Sequence, residues 1–114
     1  MTKASQASLA ETFFQAAQPK SDVFDLPGVG EVNVVELRES DVSQIRLKIE
    51  GEKDTSRRSK LFGLGLVVRS VYKNGVRVFS DADVERFADA GNGAVEKLAG
   101  AVLKVNGYGA DLGN

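Results

Sequence analysis

Neither cysteine nor histidine occurs in these 114 residues. Without cysteine there is no disulfide framework, no thiolate nucleophile and no soft-metal site. Without histidine the commonest general base and zinc ligand is missing too. Charge of one sign is also lacking. Fifteen Lys and Arg against 16 Asp and Glu leave a formal net charge of −1, so no bulk basicity draws the chain to nucleic acid or to an anionic membrane. No apolar run approaches the ~18 residues a membrane helix needs. The N-terminus has no basic region followed by an apolar stretch of signal-peptide length. What is present is ordinary for one globular domain, 42% hydrophobic and 27% charged, at a length that can build a core without staples. A soluble, cytoplasmic α+β domain is expected, small and single, with β-hairpins and about four helices.

The local signals are clearest from Leu66 to Gly107. Two apolar runs flank Asn74-Gly75, the strongest short hairpin signal, because a type I′ turn needs φ > 0 at both central residues. The second run, Val76 to Phe79, ends at Ser80, a good N-cap with Asp83 placed to complete a capping box. Val84, Phe87 and Ala88 then follow at helical spacing. After Gly91-Asn92-Gly93, a further helix carries Val95, Leu98, Ala99, Val102 and Leu103 on one stripe, stopped by Gly107.

Upstream the signals are more mixed. Ser8 to Glu11 reads as a capping box opening a short helix with Leu9, Phe13, Ala16 and Ala17 on its apolar stripe, closed by Gln18-Pro19. Residues 23–26 and 32–37 read as strands around the turn Pro27-Gly28-Val29-Gly30. Ser40 can cap a helix over 41–50 with Val42, Ile45 and Ile49 on one side, although residues 45–49 alternate with the strand period. A charged loop is expected over 51–59. Residues 61–71 are apolar enough to be buried on both sides, with a helix early and a strand from near Val67. Gly63 and Gly65 each cost that helix roughly 1 kcal/mol relative to alanine.

Several patterns imitate chemistry and fail on inspection. Asp81-x-Asp83-x-Glu85 opens like a calcium loop, but Arg86 and Asn92 occupy the positions that need glycine and glutamate. Helix capping and a favourable charge at the helix N-terminus explain these acids better. Ser70-x-x-Lys73 lacks every accompanying element of the penicillin-interacting enzymes. Gly28-x-Gly30 and Gly63-x-Gly65 lack the third glycine of a dinucleotide fingerprint, and no Gly-Lys-Ser/Thr occurs. Arg57, Arg58 and Lys60 form a small basic cluster without neighbouring aromatics for base stacking, which reads as a solvated loop face. No catalytic constellation, cofactor site or metal site is legible, and a non-enzymatic binding protein is expected.

The order of elements resembles the tail assembly chaperones of long, non-contractile-tailed bacteriophages and prophages. In that family an apolar segment and a short turn lead into R-x-F-[ST]-D-x-D-V, then a helix ending in Asn-Gly. Here Arg77, Phe79, Ser80, Asp81, Asp83 and Val84 fill the first motif, and Asn106-Gly107 the second. A Phe-containing helix, Pro19-Lys20 and the segment Leu26 to Leu37 extend the likeness over roughly 9–107, between an N-terminus (1–8) and a tail (108–114) expected to be flexible.

The resemblance implies a protein of the infected host's cytoplasm, absent from the mature virion. It would bind the tape measure protein and hold it soluble until the tail tube polymerises. It also implies recruitment of tail tube protein through a longer, frameshifted product, and the helical reading of 41–50. Self-association fits a protein that coats a filament. No nucleic acid or membrane partner is implied. Two other readings are a structural head–tail connector or tail-completion subunit, and a small nucleic-acid-binding regulator using Arg57 to Lys60. Phe14, Leu61, Phe62 and Leu64, whose apolarity fits no single amphipathic stripe, are expected in the partner-binding surface.

Overall fold

A computed structural model describes residues 3–108. Met1-Thr2 and residues 109–114, most of the tail expected to be flexible, lie outside the described residues. The elements run α1 (Lys3–Ala16), β1 (Ser21–Leu26), β2 (Gly30–Val35), α2 (Glu39–Ile49), α3 (Thr55–Ser70), β3 (Val71–Lys73), β4 (Val76–Arg77), a 3₁₀ helix (Asp81–Asp89) and α4 (Asn92–Val105). The four strands form one antiparallel sheet in the order β1-β2-β3-β4. The α+β expectation is therefore met, with five helices among the described residues when the 3₁₀ segment is counted.

Both hairpins follow from turn chemistry. Asn74 and Gly75 take φ of +53° and +79°, as the type I′ reading requires. Between β1 and β2, Gly28 takes φ +78°, and the Val29 amide closes the turn on the Leu26 carbonyl at 3.0 Å. The period of two then sorts the β2 side chains. Val32 and Val34 are fully buried, while Glu31 and Asn33 face solvent.

One face of the sheet packs on the helices, and the core lies between them. Leu26, Val32, Val34 and Val71 come from the strands, Val42 and Ile45 from α2, Leu66 and Val67 from α3, and Leu98 and Val102 from α4. The stripe read on α4 is the one that packs. Its C-terminus is a Schellman cap: Gly107 (φ +85°) donates to the Lys104 carbonyl at 3.1 Å, and Tyr108 to the Leu103 carbonyl at 2.8 Å.

Residues 39–49 are helical despite their alternation. Val42 and Ile45 sit one turn apart against α3, and Leu47, which a strand reading would set on the same face as Ile45, is 64% exposed. Helix α2 begins at Glu39, so Ser40 lies inside it and is not its cap.

Four expectations need correction. First, the charged loop ends early. Asp54 caps α3 by accepting the Arg57 amide at 3.1 Å, so Arg57, Arg58 and Lys60 lie on helix rather than loop. Second, α3 runs on to Ser70, and the strand begins only at Val71. A β-branched run of Val67 and Val68 stays helical because both side chains are buried in the helical layer. Third, the helix after Ser80 is 3₁₀ rather than α. Asp81, Val84 and Phe87, spaced by three, are half-buried together with the capping-box Asp83, whereas Ala88 is exposed. Fourth, Ser8 does not start the first helix, which already runs from Lys3. Its carbonyl instead accepts the Thr12 hydroxyl at 2.8 Å from within that helix.

Glycine 65 explains how α2 and α3 approach. A methyl group there would lie 2.7 Å from Ile45 Cγ2, so only glycine admits the isoleucine at this distance. The conformational cost of a mid-helix glycine is offset by close packing of the two helices. At Gly63, two residues earlier, an added Cβ would meet nothing within 4 Å.

Candidate partner-binding surface

The segment from Arg77 to Val84 is a structural staple, and its chemistry can be followed atom by atom. The Arg77 guanidinium donates to the Val68 carbonyl near the end of α3 (Nε 3.1 Å, Nη2 2.8 Å) and to Asp81 Oδ1 at 3.0 Å. A cation at a helix C-terminus is favourable for the helix dipole, and here it also satisfies a free carbonyl. Asp81 receives Lys48 from α2 and Arg69 from α3, the latter at 3.3 Å. Arg69 also reaches Gln44 at 3.0 Å and Asp41 at 3.7 Å.

Asp81 thus gathers three cations from three elements. Hydrogen bonds from Lys48 and Arg77, with the nearby charge of Arg69, lower its pKa from 3.8 to about 2. Asp83 behaves as the sequence predicts. Its carboxylate accepts the Ser80 amide at 2.8 Å, and that bond is the main reason its pKa is lowered. Phe79 packs on Phe87 at 5.3 Å between ring centroids.

Asn106 is a second staple. Its Oδ1 accepts the Leu37 amide at 2.8 Å, while its Nδ2 donates to the Val102 carbonyl at 2.8 Å and to the buried Ser70 hydroxyl at 3.4 Å. One side chain ties the chain leaving β2 to the ends of α3 and α4. The sequence reading saw Asn106 only as part of a helix ending.

The apolar surface that the fold leaves uncovered lies elsewhere. Every residue of α1 from Ser8 onward is exposed, including Leu9 (70%), Phe13 (63%) and Phe14 (61%). The stripe expected to bury Leu9 and Phe13 buries neither, because among the described residues α1 makes no substantial packing against the other elements. The two rings touch only edge-on, 5.2 Å apart. A long axis of 58 Å against 37 and 29 Å agrees with an element that stands off the packed body.

Three clefts border α3 among the described residues, and two of them hold Phe62 or Leu64. One, of about 640 Å³, is lined by Arg46, Ile49, Glu50, Arg58, Ser59, Phe62, Gly63, Leu103 and Tyr108. Its floor is apolar: Phe62 meets Tyr108 edge-to-face at 6.0 Å, and the Arg46 guanidinium lies 5.6 Å from the Phe62 ring centre. The second, of about 390 Å³, runs between α3, the 3₁₀ helix and α4, with Leu61, Leu64, Val84, Phe87 and Val95 along it and Arg57, Lys60, Glu85 and Glu96 at its rim.

The four residues expected at a partner surface are therefore distributed over three places. Phe14 is on the free helix, Phe62 in the first cleft, and Leu61 with Leu64 in the second. Only Phe14 is exposed; Leu61, Phe62 and Leu64 are half-buried, Phe62 against the core, and the three places do not form one patch. Exposure of Leu9 and Phe13 beside Phe14 was missed, since an amphipathic stripe carries no mark of whether the fold covers it. Among the described residues, no cluster of three His, Cys, Asp or Glu side chains could hold a metal ion, and no helix is long and apolar enough to cross a membrane. Comparison with protein-family models, with curated proteins and with solved structures yields no match.

Proposed function

We propose that this chain is a phage tail assembly chaperone. It binds the tape measure protein and keeps its helical, apolar surface in solution before the tail tube polymerises. The observation that carries this reading is the exposed apolar surface of α1, Leu9, Phe13 and Phe14, with a cleft lined by the half-buried Leu61 and Leu64 in support. Clefts walled by helices suit shallow helix-in-groove contacts with a long amphipathic partner. A small domain with several modest apolar sites binds such a client weakly at each, so that polymerising tube protein can displace it.

The motif resemblance supplies the identity of the client. The staples at Asp81 and Asn106 give the Arg77–Val84 and Asn106-Gly107 motifs a structural purpose that any client-binding scaffold of this shape would need. In this reading the chain acts in the host bacterial cytoplasm, is absent from the finished virion, and reaches tail tube subunits through a longer frameshifted product.

A second reading has its own observation. An ordered helical arm such as α1 also suits a head–tail connector or tail-completion subunit, whose arms lock neighbouring subunits into stable rings. Co-expression with the tape measure protein encoded alongside separates the two. A chaperone brings the tape measure into the soluble fraction and co-purifies with it, and Leu61→Ser with Leu64→Ser reduces that yield. An insoluble tape measure, with discrete rings formed by this chain alone, supports the structural subunit instead.

A further inference from the structure

The nine-residue 3₁₀ helix covers part of α3 without filling the space it covers. It is far longer than the three or four residues such helices usually reach. Val84, Phe87 and Ala88 carry α-helical spacing, yet the 3₁₀ path leaves Ala88 exposed. None of the nine residues is fully buried. Open space borders the segment on both sides. The cleft of about 390 Å³ lies toward α4, and one of about 510 Å³ lies toward α2, with Ile45, Lys48, Gly65, Val68 and Arg69 among its lining. Both clefts are lined by Arg57, Leu61, Val84 and Glu85, so they adjoin where the 3₁₀ helix lies on α3.

In these clefts α3 presents an apolar stripe, Leu61, Leu64, Gly65 and Val68, at helical spacing. Cations flank it: Lys48, Arg57, Lys60 and Arg69. Arg57 is shared with Glu52 at 2.9 Å, and Arg69 with Asp41 at 3.7 Å. Lys60 has no ion pair among the described residues, and the one carboxylate that Lys48 meets there is Asp81. Three acids line the clefts, and two of them, Asp81 and Glu85, belong to the 3₁₀ segment itself; the third is Glu96 of α4. Without that segment the stripe would lose its cover, and Lys48 and Arg77 their carboxylate.

We propose that residues 81–89 are a displaceable strap, occupying in cis a surface on α3 that binds an acidic amphipathic helix of the client. This rests on the client-binding reading above and names the chemistry of the segment bound. The strap displays that chemistry: an acid on Lys48 and Arg69, then apolar Val84 and Phe87 on the stripe side. A regular α-helix packs its ridges against those of α3 and fills the space the 3₁₀ path leaves open. A basic helix would meet four cations instead. From Arg57 to Arg69 the lining face of α3 runs roughly 18 Å, room for about three turns of a client helix. Binding that first requires the strap to open is weakened by the closed fraction, which suits a client that must later be released.

Hydrogen exchange read by mass spectrometry on the full-length protein, alone and with a helical peptide, tests this. The probe is about 15 residues long, with leucines on one stripe and glutamates beside it; a second peptide has lysine at every glutamate position. Without peptide, amides 82–90 should exchange at least about 100-fold faster than those of α4. Saturation with the acidic peptide should speed them further. By fluorescence anisotropy the basic peptide should bind about tenfold more weakly, and Lys60→Glu should weaken the acidic peptide by a similar factor. Asp81→Asn removes the cis competitor and should tighten acidic-peptide binding about threefold or more. Strap amides that exchange at the rate of α4, or whose protection the acidic peptide leaves unchanged or raises, overturn the proposal. So do an acidic peptide that does not bind, equal affinity for the two peptides, or a folded Asp81→Asn that binds no tighter. Should Asp81→Asn fail to fold, the wild-type exchange and the Lys60→Glu affinity decide. The peptides stand in for no particular protein, so failure here leaves the tape measure co-expression result standing, and the reverse.

Discussion

Substituting alanine at Gly65 and at Gly63 should move stability in opposite directions. At Gly63 the new methyl group meets nothing, so the intrinsic preference of helices for alanine acts alone and should stabilise the fold by about 1 kcal/mol. At Gly65 the same preference is set against a methyl placed 2.7 Å from Ile45 Cγ2. Ile45 is 3% exposed and wedged between α2 and α3, so it cannot swing into solvent. Overpacking of this kind costs about 1–3 kcal/mol beyond the propensity gain. The two variants should therefore differ by about 2 kcal/mol or more, or by roughly 5–10 °C in melting temperature for a domain of this size.

Urea denaturation followed by far-UV circular dichroism, at a concentration where the chain is monomeric, measures both. Ile45→Leu removes the branch methyl nearest Gly65, so in that background the penalty of Gly65→Ala should shrink by at least about 1 kcal/mol, a coupling expected only for residues in contact. Equal stability of Gly65→Ala and Gly63→Ala in the wild-type background would refute the close helix approach itself.

Acid should loosen the Asp81 staple in a defined window. Its folded pKa of about 2 lies below the ordinary aspartate value of 3.8, so its contribution is complete above about pH 5 and is lost as pH falls through 4 toward 2. The carboxylate is 36% exposed, so solvent screening limits the effect to about 1 kcal/mol, and Asp81→Asn should flatten the pH dependence of stability in that window. Replacing Asn106 by Ala leaves the Leu37 amide without its acceptor and should cost about 1–3 kcal/mol, readable as a lower urea midpoint at unchanged slope.

What the sequence by itself determined was whatever depends on a few neighbouring residues. Asn74-Gly75 required its turn because only those backbones accept φ > 0 cheaply. Asp83 found the Ser80 amide because three residues separate them. Leu98 and Val102 faced the core because a period of 3.6 put them on one line. The tertiary structure decided what depends on distance along the chain. It made 39–49 a helix, where alternation allowed a strand, because Ile45 has Gly65 to pack on. It kept Val67 and Val68 helical, and it set the Asp81 segment to a period of three.

It also turned Asp81 from a helix-capping acid into the anchor for Lys48, Arg69 and Arg77, residues that sequence spacing does not bring together. Above all it left Leu9, Phe13 and Phe14 uncovered. An apolar stripe states that a helix needs a partner, because its transfer from water is favourable wherever it occurs. Whether that partner is the same molecule depends on where the other elements go, and only the folded chain shows it.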